Sequence, residues 1–558
     1  MPWWLWLLLL LLLLLLLLLW LWRRGGFVAL VGSKRPAPSY YGEQLVEPIV
    51  DGDNFFGRLE TNLLAVANSP GAGHQYAHMR FWLCVHTTKL KNLTFEQCVK
   101  KISDAGHEVR LLLWRPSDTE CHSDSLADIL RAHEATKQVL EQYPGVRVQL
   151  IEHPETFDCY HQKTGIFRTG DAVVAMTGGF NVAEEYHGHP PHPPIPPPPT
   201  PPPRSWHDIG VQVVGSSTGQ IEKDFTTDWA KTTNPPSLEP WVLGGSAGTD
   251  SVYIGSNTLQ PQSIHNELLR LIENAVEYVY MENYSIHDPK LVAAMAERIQ
   301  ATRGTPKPVE ILLVLPGQPY DDMSNPIYGW LHFVTYCELS FASCSSFRYR
   351  DGSNVRVANR TPVKWTFTRD GDWYEDTTLA WDGGDCKVTD VISFTGETPL
   401  YKGVYATGAG TASGIYVHSK AGIVDSQTAF IGSANFCPRS MNEDGELTAF
   451  FTGPSVGTFR STLWAEWCAG NVPDAPGFRQ RAESNKAALN AGTLVAGTQL
   501  ALPIHIDEYA KKPPDISNAV VQSFLQNHMP GGSMFGSVGS GLASFLAVFN
   551  PVDKAAAW

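Results

Sequence analysis

Two hydrophobic rhythms take turns along this chain. From about residue 76, segments with apolar residues three and four apart alternate with short continuous apolar runs, the patterns of amphipathic helices and buried strands. LTFEQCVKKISDAG, residues 93–106, predicts a helix with Thr94 as N-cap and Gly106 as its stop. HEVRLLLW follows as a buried strand, SLADILRAHEATKQVLEQY as a second helix and VRVQLIE as a second strand. YHQKTGIFRTGDAVVAMTGGFN, residues 160–181, then predicts a β-hairpin turning at Thr169-Gly170-Asp171. The same order returns later. SIHNELLRLIENAVEYVYMEN is a helix running into a strand, LVAAMAERIQATRG a helix and VEILLVLP a strand. YVHSKAGIVDSQTAFIGSANF, residues 416–436, is again a hairpin. A large unit is therefore duplicated. The alternation of elements predicts an α/β fold with a mixed sheet in each half.

The remaining segments set the expected boundaries. Residues 3–22 are twenty apolar residues without a charge, bordered by Trp and followed by Arg23 and Arg24. That matches the roughly 20 residues that cross a bilayer, and the basic pair lies on the wrong side for a cleavable leader. We read residues 1–26 as a single-pass membrane anchor, with sidedness open between the charge rule and three sequons at Asn92, Asn283 and Asn359. Residues 27–75 read as an irregular linker, 76–240 as the first half, 241–475 as the second and 476–558 as a C-terminal extension. Two insertions interrupt the halves. Residues 187–204, HGHPPHPPIPPPPTPPPR, predict a polyproline segment that an SH3- or WW-type partner could read, or a stiff surface loop with solvated histidines. Residues 340–410 predict added β-structure.

Length and charge narrow the function. A chain of 558 residues exceeds a single ordinary core. A net charge of −14 argues against a general affinity for nucleic acid. Nine cysteines without a C-x-x-C pair argue against structural zinc.

The chemistry lies in the two hairpins. Each opens with His-x-Lys: His161 and Lys163 in the first, His418 and Lys420 in the second. Residues two apart in extended chain share a face, so an ammonium stands beside each imidazole. Two such units facing each other supply one imidazole to attack phosphorus, one to protonate the leaving oxygen, and two cations for the developing charge. The arrangement calls for no metal or cofactor. The copies differ. Lys420 is followed five residues on by Asp425, whereas Arg168 stands at that place in the first copy and the nearest acid is Asp171. From Lys163 to Gly178 is three residues longer than from Lys420 to Gly432. We place the extra residues in the turn, with Asp171 either in register with the second strand or a plain turn residue.

These residues resemble the phospholipase D superfamily, whose motif is His-x-Lys, four residues, Asp, then a strand ending in Gly-Gly or Gly-Ser and an Asn. The second half matches with His418, Lys420, Asp425, Gly432, Ser433 and Asn435, and Glu446 follows in PRSMNEDGEL. The first matches with His161, Lys163, Gly178, Gly179 and Asn181, and SWHDIGVQVVG resembles the Trp-His-Asp segment of lipid-cleaving members. The resemblance implies two pseudo-symmetric half-domains with the active site at their interface, and a covalent phosphohistidine. It implies His161 as nucleophile and His418 as acid, the reverse staying open. It further implies Asp208 orienting His161, Glu446 orienting His418, Lys163 and Lys420 on phosphate oxygens, and Asn181, Asn435, Ser433 and Gly179 lining the substrate. The expected activity is hydrolysis of phospholipids to phosphatidate. The alternative is phosphatidyl transfer of the cardiolipin synthase kind; an anchored nuclease and an inactive scaffold rank below both.

Overall fold

The computed structural model describes residues 35–506 apart from 71–74, 118–123, 155–157, 171, 189–205, 233–246, 318–325, 357–363, 368–376, 382–383, 388–390, 397–398 and 409. The expected anchor at 3–22, most of the proline segment, Asp171 and the last 52 residues lie outside the described residues. Among the described residues, no helix is long and apolar enough to cross a membrane.

The first half comprises β1 (Tyr41–Val50), α1 (Gly52–Ala67), β2 (Tyr76–Phe81), α2 (Phe95–Asp104), β3 (Glu108–Trp114), α3 (Asp124–Leu140), β4 (Val146–Ile151), β5 (Thr164–Thr169), β6 (Ala172–Gly178), β7 (Trp206–His207), β8 (Ile209–Val214) and α4 (Thr218–Trp229). The second begins with β9 (Asp250–Ser256), α5 (Ser263–Asn274), β10 (Tyr278–Glu282), α6 (Pro289–Thr302), β11 (Glu310–Pro316) and α7 (Pro326–Ser343). The insertion adds β12 (Ser346–Tyr349), β13 (Asn354–Arg356), β14 (Lys364–Phe367), β15 (Thr377–Trp381), β16 (Gly384–Lys387) and β17 (Val391–Thr395), which form two separate three-stranded sheets. The half closes with β18 (Leu400–Gly408), β19 (Thr411–Gly414), β20 (Tyr416–Val417), β21 (Ala421–Val424), β22 (Thr428–Gly432), α8 (Pro438–Asn442), β23 (Leu447–Thr452), α9 (Pro454–Trp467), α10 (Ala475–Asn490) and β24 (Gln499–Pro503).

The two half-sheets are one sheet. From its centre outward the order is β1-β8-β6-β5-β2-β3-β4 on one side and β9-β23-β22-β21-β10-β11-β18 on the other, seven matching strands a side, with β19 and β24 added at β18. β1 and β9 join them, antiparallel, with an irregularity between Tyr41 and Gln44. Within each half the outer strands run parallel and the His-x-Lys hairpin runs antiparallel to them, β5 against β2 and β21 against β10. The strands read as continuous apolar runs are buried on both faces, as parallel strands between helices must be. Thr94 caps α2 as expected and completes a capping box with Gln97, and Gly106 takes a left-handed φ of 78° just past the helix.

Two boundaries change. Residues 41–67, expected to be irregular, form the central strand β1 and helix α1. YGEQLVEPIV carries a Pro and two Glu and alternates weakly, so the tertiary pairing with both β8 and β9 fixes it rather than its own pattern. The C-terminal extension contributes β24, which pairs with β18 at the edge of the sheet.

Candidate active site

The two His-x-Lys segments occupy equivalent places, each extended and just ahead of the inner hairpin strand. Each is gripped by the opposite half. The His161 backbone donates to the Gly445 carbonyl and the His418 backbone to the His207 carbonyl, both at 2.8 Å. Parallel bridges flank these bonds, Tyr160 with Gly445 and β7 with β20.

This exchange reverses the expected carboxylate assignment. His161 Nδ1 lies 2.9 Å from Glu446 Oε1 and 3.1 Å from the Ser433 carbonyl. His418 Nδ1 lies 2.7 Å from Asp208 Oδ2. Asp208 follows His161 in the same half, yet β7 carries it across to the second histidine. The Ser433 carbonyl and the Asp208 carboxylate accept, so each Nδ1 bears the hydrogen and each Nε2 keeps its lone pair, although Lys420 Nζ also lies 3.1 Å from His418 Nδ1. His161 Nε2 has no hydrogen-bond partner among the described residues. Lys420 Nζ lies 3.0 Å from His418 Nε2, and Lys163 Nζ donates to the His161 carbonyl at 2.7 Å. Neither histidine nor lysine is more than 2% exposed.

Burial sets the charge states. Desolvation, reinforced by Lys163 and Lys420, holds His161 well below its ordinary value, and desolvation with Lys420 pushes His418 down to about 3. Burial brings Lys420 down to about 7. The two carboxyls part company. Burial pushes Glu446 up to about 7. It pushes Asp208 upward too, but His418, Lys420 and the Ile209 N–H together bring that carboxyl below its ordinary value.

The residues after each hairpin differ to match. Ser433 Oγ donates to Glu446 Oε2 and accepts from the Leu447 N–H at 3.0 Å. Its counterpart, Gly179, has no room for a side chain, because a Cβ there would stand 2.1 Å from Asp208 Oδ1. Glycine pairs with one carboxyl and serine with the other. Asn181, expected to line the substrate, instead accepts from the Leu83 N–H at 3.0 Å and donates to the Tyr186 hydroxyl at 2.7 Å. Its amide is thus spent on the scaffold. Asn435 is buried and its Oδ1 has no partner among the described residues.

Asp425 lies away from these groups, at the hairpin tip. With φ at 55°, its carboxylate accepts the backbone N–H groups of Val276, Glu277 and Tyr278 at 2.7–2.9 Å and so anchors the start of β10. In the first half the link runs the other way, from the Gly170 N–H to the Gln75 side chain, while Arg168 lies 5.9 Å over the Tyr76 ring. The extra residues of the first hairpin are in its strands, not its turn. β5 and β6 extend by pairing Arg168 with Val173 and Thr169 with Ala172, and the turn between them is shorter than that between Val424 and Thr428.

The sequence reading passed over the aromatic wall. Trp206, Tyr186 and Tyr284 rings lie 4.6, 5.5 and 6.0 Å from the His418 ring. Only Trp206 carried a signal, as part of Trp-His-Asp. His187, expected to be solvated, lies tilted against the Phe56 ring with centroids 4.2 Å apart and meets Asp53 at 3.2 Å. Asn283 is fully buried and so unsuited to glycosylation in this fold.

No protein-family model matches the chain. Cardiolipin synthase of Oceanobacillus iheyensis is 23% identical over 309 residues, 54% of this chain and 58% of that protein. Phospholipase D zeta 2 of Arabidopsis thaliana is 26% identical over 293 residues, 49% of this chain and 25% of that protein. The chain thus matches about half or less of the length of these relatives. The phosphatidylserine synthase structure from Haemophilus influenzae superposes with a TM-score of 0.46 at 12% identity, covering 90% of this chain and 96% of that one.

Proposed function

The chain belongs to the phospholipase D superfamily, and on that premise we propose that it transfers a phosphatidyl group from a phospholipid to an acceptor alcohol through a phosphohistidine. The observation that carries this is the crossed pair of histidines, each held by a carboxyl of the other half. The lone pair of His161 Nε2 attacks phosphorus and the bond to the head-group oxygen breaks. His418, as imidazolium, gives its Nε2 proton to that oxygen. In the second step His418 takes the proton of the acceptor hydroxyl, whose oxygen attacks phosphorus and expels His161. Lys163 and Lys420 neutralise the non-bridging oxygens. The ionised Asp208 supports a positive His418, while a Glu446 held up to about 7 leaves His161 neutral and nucleophilic. The anionic phosphodiester, entering between two ammonium groups, offsets the charge that otherwise keeps His418 unprotonated.

The sequence led us to expect hydrolysis. The cardiolipin synthase names of the relatives favour transfer, and the plant phospholipase D keeps hydrolysis as the second reading. Incubating the protein with phosphatidylglycerol, with and without an added primary alcohol, separates them. Cardiolipin and phosphatidyl-alcohol are expected; phosphatidate alone would favour hydrolysis, and no lipid product would refute both. His418→Ala is expected to lose turnover.

A further inference from the structure

The paired halves carry opposite buried charges at one equivalent position. On β2, Arg80 pairs with Thr164, the residue after Lys163; on β10, Glu282 pairs with Ala421, the residue after Lys420. Both are 0% exposed. Each touches the middle residue of its own His-x-Lys. The Ser419 hydroxyl donates to Glu282 Oε2 at 2.8 Å. Gln162, its amide turned to satisfy its neighbours, accepts from Arg80 Nη1 at 2.8 Å and donates to the Gly445 carbonyl that holds His161.

The groups behind them do not cancel the difference. Arg80 is met by Asp224 at 2.8 Å and Asp228 at 3.0 Å, and Lys231 by Asp228 at 2.6 Å, so two cations face two carboxylates. Glu282 accepts from His207 Nε2 at 3.0 Å, Trp467 Nε1 at 2.7 Å and the Tyr280 hydroxyl. His207 Nδ1 meets Asp51 at 3.1 Å and lies 3.6 Å from Glu466, whose carboxyl burial pushes well above its ordinary value. The His207 imidazole is held well above its ordinary value. Burial opposes its charge, but Glu282, Glu466 and Asp51 outweigh burial. Behind His161 two cations stand with two carboxylates, whereas behind His418 one imidazole stands among three carboxyls, Glu282, Asp51 and Glu466.

We propose that this inverted pair makes the two motifs chemically unequal: Glu282 favours the imidazolium at His418, and Arg80 favours the neutral imidazole at His161. Both are positioning residues acting through Ser419 and Gln162. The inference deepens the proposed phosphatidyl transfer and rests on it for the meaning of acid and nucleophile. Other charges face each ring as well. Lys163 and Lys420 face both rings. Asp208 faces His418, and Glu446 faces His161 with Asp444 and Arg439 beyond it. Asp208 acts in the same sense as Glu282.

The test is an NMR titration of ring-labelled histidines in the full chain, with and without inorganic phosphate, each signal assigned by a single His→Gln variant. In the wild type, His418 is expected to keep its proton to higher pH than His161. Glu282→Gln is expected to lower the His418 midpoint by about one pH unit with His161 unmoved, and Glu282→Asp to restore it. Arg80→Gln is expected to raise the His161 midpoint, and it decides the matter should Glu282→Gln fail to fold. In turnover, Glu282→Gln is expected to lower kcat about tenfold with little change in KM. A wild type in which His161 is the more basic ring overturns the proposal, as does a folded Glu282→Gln or Arg80→Gln whose midpoints match the wild type. Absence of lipid turnover together with the expected ordering would count against the lipid reaction and not against this assignment.

Discussion

Glu446→Gln separates what this carboxyl does for the reaction from what it costs the fold. Glu446 is fully buried, and its folded pKa stands at about 7 against an ordinary 4.5. A group raised in the folded state favours the fold while protonated. That stability is fully present below the unfolded value and is lost as pH rises from about 4.5 through about 7. At about 1.4 kcal/mol per pH unit, the displacement corresponds to a loss of about 3 kcal/mol between pH 4 and pH 8. Glutamine is neutral at every pH and close in shape. Its oxygen can still accept from His161 Nδ1, and its amide can face Ser433 Oγ, which already accepts from Leu447. Urea unfolding of both proteins at pH 4.5, 6 and 8 is the assay. The variant is expected to match the wild type at pH 4.5 and to exceed it by about 3 kcal/mol at pH 8, while turnover falls. Parallel stability curves across that range would refute the reasoning, because they would mean that Glu446 ionises normally in the folded protein.

Gly179→Ala drives a methyl into Asp208, and a displaced Asp208 no longer orients His418; kcat is expected to fall ~100-fold with the fold retained by circular dichroism. Asp425→Ala removes the acceptor for three N–H groups at the head of β10. It is expected to cost about 1–2 kcal/mol in urea unfolding, with kcat per folded molecule unchanged; a catalytic role for Asp425 would show instead as lost turnover at full stability.

The duplicated unit was legible because its signal is local. Continuous apolar runs gave the strands, and Thr94 and Gly106 gave the ends of α2. His161, Lys163, His418 and Lys420 were found for the same reason, since two residues on one extended segment need no tertiary knowledge. The crossing of Asp208 and Glu446 was not legible. Chain proximity put Asp208 with His161, whereas β7 and β20 pair between halves. The exchange of serine for glycine at 433 and 179 was visible in the sequence, but its meaning required knowing which carboxyl stands beside each. Arg80 lay unmarked in YAHMRF because a buried arginine looks like an exposed one until its two aspartates, more than 140 residues away, are in place.

The seam at β1 and β9 has a consequence for how such a chain can vary. Were the two halves separate copies of one polypeptide associating about a two-fold axis, every change on one side would be repeated on the other. Both histidines would then have the same orienting acid and the same charge behind them. One continuous chain lifts that constraint, so Gly179 can differ from Ser433, Asp208 from Glu446 and Arg80 from Glu282. The covalent joining of the halves is therefore what permits a division of labour between two otherwise matching motifs. Because each histidine still leans on the far side, a cut in the connection between α4 and β9 would yield two fragments, neither holding a complete site until they reassociate.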